Sequence, residues 1–176
     1  MPSENKYTRV EWERRFLLEQ FPSGADIMRS RRIVDRYIDG TRLRLRQIAD
    51  RNSNEILKLT QKLPEQTAGA RRGLITTFYL SKQEFDVLAN LPAKILAKTR
   101  HSVPPFGIDV FETELDGLIL AEAEFNSAEE ASSLELPSFA SHEVTNDPRF
   151  TGGSLVAATR DEVRQWLAEY GIELQR

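Results

Sequence analysis

The sequence predicts a mainly β protein of the α+β kind, with about eight antiparallel strands able to close into a barrel and a few flanking helices. Three observations predict it. Segments that alternate with period two recur along the 176 residues. Turn signals, rather than helical crossovers, separate most of them. The charged positions of the central strands also carry mostly one sign per strand.

The first strand is "VEWERRFLL", Val10 to Leu18, which sets Glu11, Glu13 and Arg15 on one parity and Trp12, Arg14 and Phe16 on the other. Pro22, Ser23 and Gly24 break the chain. "RRIVDRYID" reads as a strand and runs through the hairpin signal Asp39–Gly40–Thr41 into "TRLRLRQI". After a turn over 50–54, "EILKLTQKL" (Glu55 to Leu63) is the next strand, and Pro64 to Gly73 is a polar, glycine-containing connection. "LITTFYLS" is β-branched and aromatic, hence a strand.

Ser81 and Glu84 have the spacing of a capping box and open a helix over 82–90 that stops before Pro92. "AKILAKTRHSV", "GIDVFE" and "GLILAEAEF" are strands, the last two joined by a turn near Glu114 to Gly117. Ser127 and Glu130 open a short helix, and "SHEVTND" is a short extended piece. Thr159 and Glu162 form a further box ahead of a C-terminal helix at about 160–171, with Gly171 as its stop. Trp166, Val163 and Leu167 share its apolar side and should pack it against the barrel. The whole, 1–176, reads as one domain.

Composition narrows the function classes. There is no cysteine, so disulfides, thiolate metal sites and a cysteine nucleophile are excluded. The apolar runs are short ("LILA", Leu118 to Ala121) and "MPSENKYTRV" has no apolar core, so neither a membrane span nor a signal peptide is expected, and the expected location is cytoplasmic. A net charge of −3 argues against general nucleic-acid binding. His101 and His142 have no partner at metal-ligand spacing, and no P-loop or Gly-x-Ser-x-Gly motif is present. "TGGS" (Thr151 to Ser154) reads as a turn. Phe16, Phe78, Tyr79, Phe111 and Phe125 read as core or sheet packing.

Charge sorting is the informative feature. Glu11, Glu13 and Arg15 share a face, as do Arg42, Arg44 and Arg46, then Lys58, Thr60 and Lys62, then Lys98 and Arg100, then Glu122 and Glu124. The opposite parity is largely apolar: Leu43, Leu45, Leu57, Leu59, Ile95, Ala97, Ala121 and Ala123. A half-solvated sheet with charges outward accounts for any one strand. It accounts poorly for the set, because surface strands mix signs to avoid like-charge neighbours. A closed barrel would place both sets in one lumen. Four carboxylates from two strands would offer hard oxygen ligands to Mg²⁺ or Mn²⁺, and the lysines and arginines would offer charge-assisted bonds to phosphate oxygens.

These residues, in order, resemble the CYTH superfamily, the triphosphate tunnel metalloenzymes. "EWERR" is similar to its Glu-x-Glu-x-Lys signature, followed by "RLRLR", "LTQK" (Lys62), "AKTRH", "GIDVF" (Asp109), "GLILAEAEF" and "HEVTNDPRF" (Glu143 to Phe150). The resemblance covers almost the whole chain. It implies an eight-stranded antiparallel tunnel and a bacterial, tripolyphosphatase-like, metal-dependent hydrolase. The substrate would be a small molecule: inorganic tripolyphosphate, or a nucleoside or thiamine triphosphate. Glu11, Glu13, Glu122 and Glu124 would bind the metal. Arg15, Arg42, Arg44, Lys62, Lys98 and Arg100 would cradle phosphate, with Lys98 also catalytic, and the last helix could close a tunnel mouth.

A class IV-type adenylate cyclase and a non-catalytic polyphosphate- or nucleotide-binding protein are the alternatives on the same fold. Lys58 shares the parity but is not among the positions the resemblance supplies. The chain departs from the family pattern at Arg15, where the family has lysine, and at Thr76–Thr77, where an acidic pair is usual. It departs again at His142, where glycine is usual.

Overall fold

The computed structural model describes residues 8–50, 52, 54–65 and 71–174. The opening segment 1–7, two positions of the 50–54 turn and the centre of the 64–73 connection lie outside the described residues. The strands are β1 (Arg9–Leu18), β2 (Arg29–Ile38), β3 (Leu43–Asp50), β4 (Glu55–Glu65), β5 (Arg71–Tyr79), β6 (Ala93–Val103), β7 (Phe106–Phe111), β8 (Ile119–Phe125) and β9 (His142–Glu143). The helices are α1 (Lys82–Ala89), α2 (Ala128–Ser133), α3 (Gly152–Leu155) and α4 (Arg160–Ala168), with 3₁₀ turns at Thr113–Leu115 and Pro148–Phe150.

Two antiparallel meanders, β2–β5 and β6–β8, join where β2 pairs with β6. β1 closes the ring by pairing with β8 on one edge and β5 on the other. The edge facing β5 is shared. Arg9 to Glu13 pair with β5, and Phe16 and Leu17 pair with β9. The result is the expected eight-stranded antiparallel barrel with one short extra strand.

Local sequence explains most boundaries. Ser81 and Thr159 each accept from the third helical amide while Glu84 and Glu162 reach back, so both reciprocal boxes form. Ser127 accepts from Glu130 N–H and starts α2. Gly171, at φ +70°, follows α4. "TGGS", read as a turn, is instead the start of α3, with Thr151 as its N-cap.

Closure inverts the usual arrangement, with charges inside and apolar side chains facing out beneath covers. α1 lays Phe85 over Leu45 and Leu57. Leu134, Phe139 and Ala140, following α2, cover Phe16, Phe106, Ile108, Ala121 and Ala123. Phe78 and Tyr79, expected to pack, are exposed at the end of β5, beyond these covers.

At one end the lumen itself turns apolar. Leu17, Leu96, Phe111 and Leu120 share the inward parity of the charged residues and pack with Phe150, Leu155, Val163 and Leu167. Trp166 stacks edge-on against Phe150. The C-terminal segment therefore both packs on the barrel and plugs this end.

Gly152 is where the plug meets the wall. A Cβ there would stand 2.1 Å from the Tyr37 hydroxyl. Gly152→Ala should therefore lower stability by about 1–3 kcal/mol, the usual cost of overpacking, measurable as a lower urea midpoint at unchanged m-value.

Candidate functional site in the barrel lumen

Alternation along each strand puts Glu11, Glu13 and Arg15 of β1 inward. With them lie Asp35 of β2, Arg44 and Arg46 of β3, and Lys58, Thr60 and Lys62 of β4. Lys98 and Arg100 of β6, Asp109 of β7, and Glu122 and Glu124 of β8 share this face, as does Arg31 of β2 opposite Arg100. Burial rules out a solvated face for the centre of this set, where Arg15 is 4% exposed, Lys98 6%, Asp35 1% and Asp109 0%; Arg44, Lys62 and Arg100 are half-buried and Glu124 is exposed. Arg42 does not join it, being exposed in the turn before β3.

Charges removed from water must be paired, and here they form a chain. Lys62 Nζ donates to Glu13 Oε2 at 2.8 Å and lies 3.1 Å from Glu11. Arg15 Nη2 donates to Glu13 Oε1 at 2.8 Å, and Arg15 Nε donates to Glu122 Oε1 at 3.0 Å. Arg100 donates to Glu122 Oε2 and, through two bonds of 2.6 Å, to Asp109. Lys98 completes the chain on Asp109. A second group stands across the lumen. Arg46 donates to both Asp35 oxygens at 2.5 and 2.7 Å, and Arg44 lies 3.6 Å from the same carboxylate.

Two glycines make room for the long side chains. Arg100 Cδ passes 3.1 Å from the Cβ position of Gly107, and Lys62 Cε passes 3.3 Å from that of Gly73. Behind the wall, Arg15 N–H donates to Thr145 Oγ1 at 3.0 Å and Arg15 C=O accepts from Val144 N–H at 2.8 Å.

The pairing sets protonation. Burial alone would raise the Glu122 carboxyl, but Arg100, Lys98 and Arg15 hold it well below the usual range. Lys98 is less basic than an ordinary lysine, because burial outweighs the attraction of Asp109. Lys58 is also lowered, by burial and then by Arg46 and Arg44. Glu124, exposed near the end of β8, is raised, by partial desolvation and then by Glu11.

Not all of this follows the sequence reading. Asp35 and Asp109, the buried acids that hold Arg46, Lys98 and Arg100, were outside the expected site set, although the parity of "RRIVDRYID" places Asp35 beside Ile33 and Tyr37 as a lone inward acid. On β5 the inward parity includes Gly73, Ile75, Thr77 and, at the exposed end, Tyr79 opposite Lys58. Thr77 meets Thr60 at 3.3 Å, while Thr76 faces out to Thr8. Glu143 is also outside, held by Arg14. His101 bonds Ser30, and His142 stacks near Tyr170.

The four carboxylates expected to hold a divalent ion do not converge. Both oxygens of Glu13 and both of Glu122 are taken by cations. Among the described residues no three acidic or histidine side chains gather as a metal site. As arranged, the donor set does not fit Mg²⁺, which demands near-octahedral oxygen coordination. An open groove of about 820 Å³ lies outside the barrel, lined in part by Arg14, Glu143, Asp147 and Tyr170. Its charged groups are already paired, Arg14 with Glu143 and Asp147 with Arg149 and the Tyr170 hydroxyl.

No family model matches the chain, and no curated protein matches it in sequence. Two solved structures of NE1496 are similar to it. One, of the inorganic triphosphatase NE1496, is 25% identical with a TM-score of 0.56, over 84% of this chain and 95% of that one. The other, of the hypothetical protein NE1496, is 25% identical with a TM-score of 0.56, over 85% and 99%.

The Asp35–Arg46 pair gives a signed prediction. The Asp35 carboxyl is lowered from 3.8 to about 2, burial opposing and Arg46 overcoming it. Its contribution to stability is complete above the unfolded value and is lost as pH falls from about 4 toward 2. That contribution is roughly 2 kcal/mol. Urea titrations across this range should show the loss in the wild type, and Asp35→Asn should start less stable and show a flatter pH dependence.

Proposed function

We propose that this chain, whose fold is the CYTH-like triphosphate tunnel, binds a linear triphosphate in the lumen and hydrolyses its terminal phosphoanhydride bond. The observation that carries this is the row of inward-facing Arg and Lys side chains, Arg15, Arg46 and Lys98 buried and the others half-buried, in a barrel plugged at one end. Such a row suits an extended polyanion, because each phosphate meets a cation where low dielectric strengthens the bond. The likeness to a protein described as an inorganic triphosphatase supports phosphoanhydride hydrolysis.

In this reading Arg44, Arg46 and Lys58 take up phosphate oxygens from one wall, where Asp35 offsets part of their charge. Arg100, Lys62 and Arg15 do so from the other. Water attacks the terminal phosphorus and the bond from that phosphorus to the bridging oxygen breaks. Phosphate and pyrophosphate leave, with the hydrogens of water shared between products and solvent. The side-chain cations stabilise the charge that builds on the departing oxygen. Lys98, the least basic of the deeply buried cations, is the candidate to protonate it. The Mg²⁺ or Mn²⁺ implied by the resemblance has no assembled carboxylate set here, so no step is drawn through it.

A second reading, retention of a triphosphate without cleavage, is favoured by one observation. Against the effect of burial, Arg100, Lys98 and Arg15 hold Glu122 well below the usual carboxylate range, which makes it a weak base toward water.

Phosphate release from tripolyphosphate, ATP and thiamine triphosphate, each in Mg²⁺, Mn²⁺ or EDTA, tests the choice. Hydrolysis predicts release from at least one, lowered about 10²-fold or more in kcat by Lys98→Gln, with thermal unfolding as the control for folding. Calorimetric binding of tripolyphosphate with no phosphate release would select the second reading. Neither binding nor release would end both.

A further inference from the structure

We propose that Arg15 is a resident cation that takes the place of a divalent metal, so that the lumen binds a triphosphate without one. This deepens the triphosphate reading above and rests on it.

The register of the sheet requires the arrangement. Arg15 lies directly across the ladder from Glu122 and two residues along the same face from Glu13. One guanidinium therefore stands between two carboxylates that the resemblance assigns to metal, and bonds both. Lys62 and Arg100 occupy the remaining oxygens of those carboxylates. A divalent ion entering here would have to displace three cations at once. Arg15 cannot be shed by deprotonation, and it is anchored through Thr145 and Val144 behind the strand.

Two buried donors on the lumen cations are left over, Arg44 Nε and Arg15 Nη1, and the second lies on the guanidinium between the two carboxylates. Arg15 Nη1 has no hydrogen-bond partner among the described residues, on a side chain that is 5% exposed. A buried guanidinium N–H without an acceptor is costly, and a phosphate oxygen in the lumen supplies that acceptor. The position thus does two jobs that a metal would do: it offsets the repulsion of Glu13 and Glu122, and it bonds the ligand.

The test uses the full chain with two probes, Mn²⁺ alone and tripolyphosphate alone. Paramagnetic resonance should show little Mn²⁺ taken up by the wild type and more by Arg15→Gln. Calorimetry should show tripolyphosphate binding in EDTA, changed by less than about threefold on adding Mg²⁺. Arg15→Gln should lose about tenfold or more of the EDTA affinity, the value of a charge-assisted bond. Should Arg15→Gln fail to fold, Arg15→Lys keeps the charge with fewer donors in the wrong geometry and should show the same losses in smaller degree.

Wild-type uptake of Mn²⁺ equal to that of the variant, with tripolyphosphate bound only in its presence, overturns the proposal and leaves the triphosphate reading standing. Absence of tripolyphosphate binding in either buffer overturns the triphosphate reading and this proposal with it.

Discussion

Everything in this molecule depends on charge enclosed by a closed sheet. Once β1 seals the ring between β5 and β8, the inward residues of every strand share one narrow space that water enters poorly. An isolated ion there would be ruinous, so acids and bases alternate from Lys62 through Glu13, Arg15, Glu122 and Arg100 to Asp109 and Lys98. Such networks contribute little net stability over apolar packing. What they provide is a set of rigid, already desolvated donors, which an incoming polyanion need not reorganise.

The inside-out arrangement places unusual demands on the exterior. With the lumen given to charge, cohesion comes from apolar side chains on the outer wall and at the plug, each needing its own cover. α1 covers one stretch and the segment after α2 another, while the C-terminal helices fill one end. Lys98 marks the junction, with its ammonium 5.4 Å from the ring of Phe111 on the plug side and bonded to Asp109 on the polar side.

Much of this was legible in the sequence, for a definite reason. Period two survives closure, so the parity of Glu11, Arg44, Lys62, Lys98 and Glu122 could be read without knowing the fold, and capping boxes marked α1 and α4. Other features depend on proximity that no local pattern encodes. Arg42 alternates with Arg44 yet falls outside because the strand begins one residue later. Asp35 reads as one acid among arginines until Arg46 is seen opposite. Charge sorting counts the carboxylates and cations of the lumen, and not which cation lies between which acids. β9 falls within the piece of "SHEVTND" read as extended, but two residues carry no periodicity to say that its partner is the strand that carries Arg15.

The sharing of β1 has a consequence in time. Its partners are β5, β8 and β9, which arrive roughly sixty, one hundred and one hundred and thirty residues later on a ribosome moving along the message. Until then a strand of high β-propensity waits with both edges open, a state that invites pairing with a neighbouring chain. The same acids and arginine that later meet in the lumen keep that waiting strand soluble, because a charge at every second position is a poor template for aggregation. The pattern that equips the tunnel thus also chaperones its own assembly.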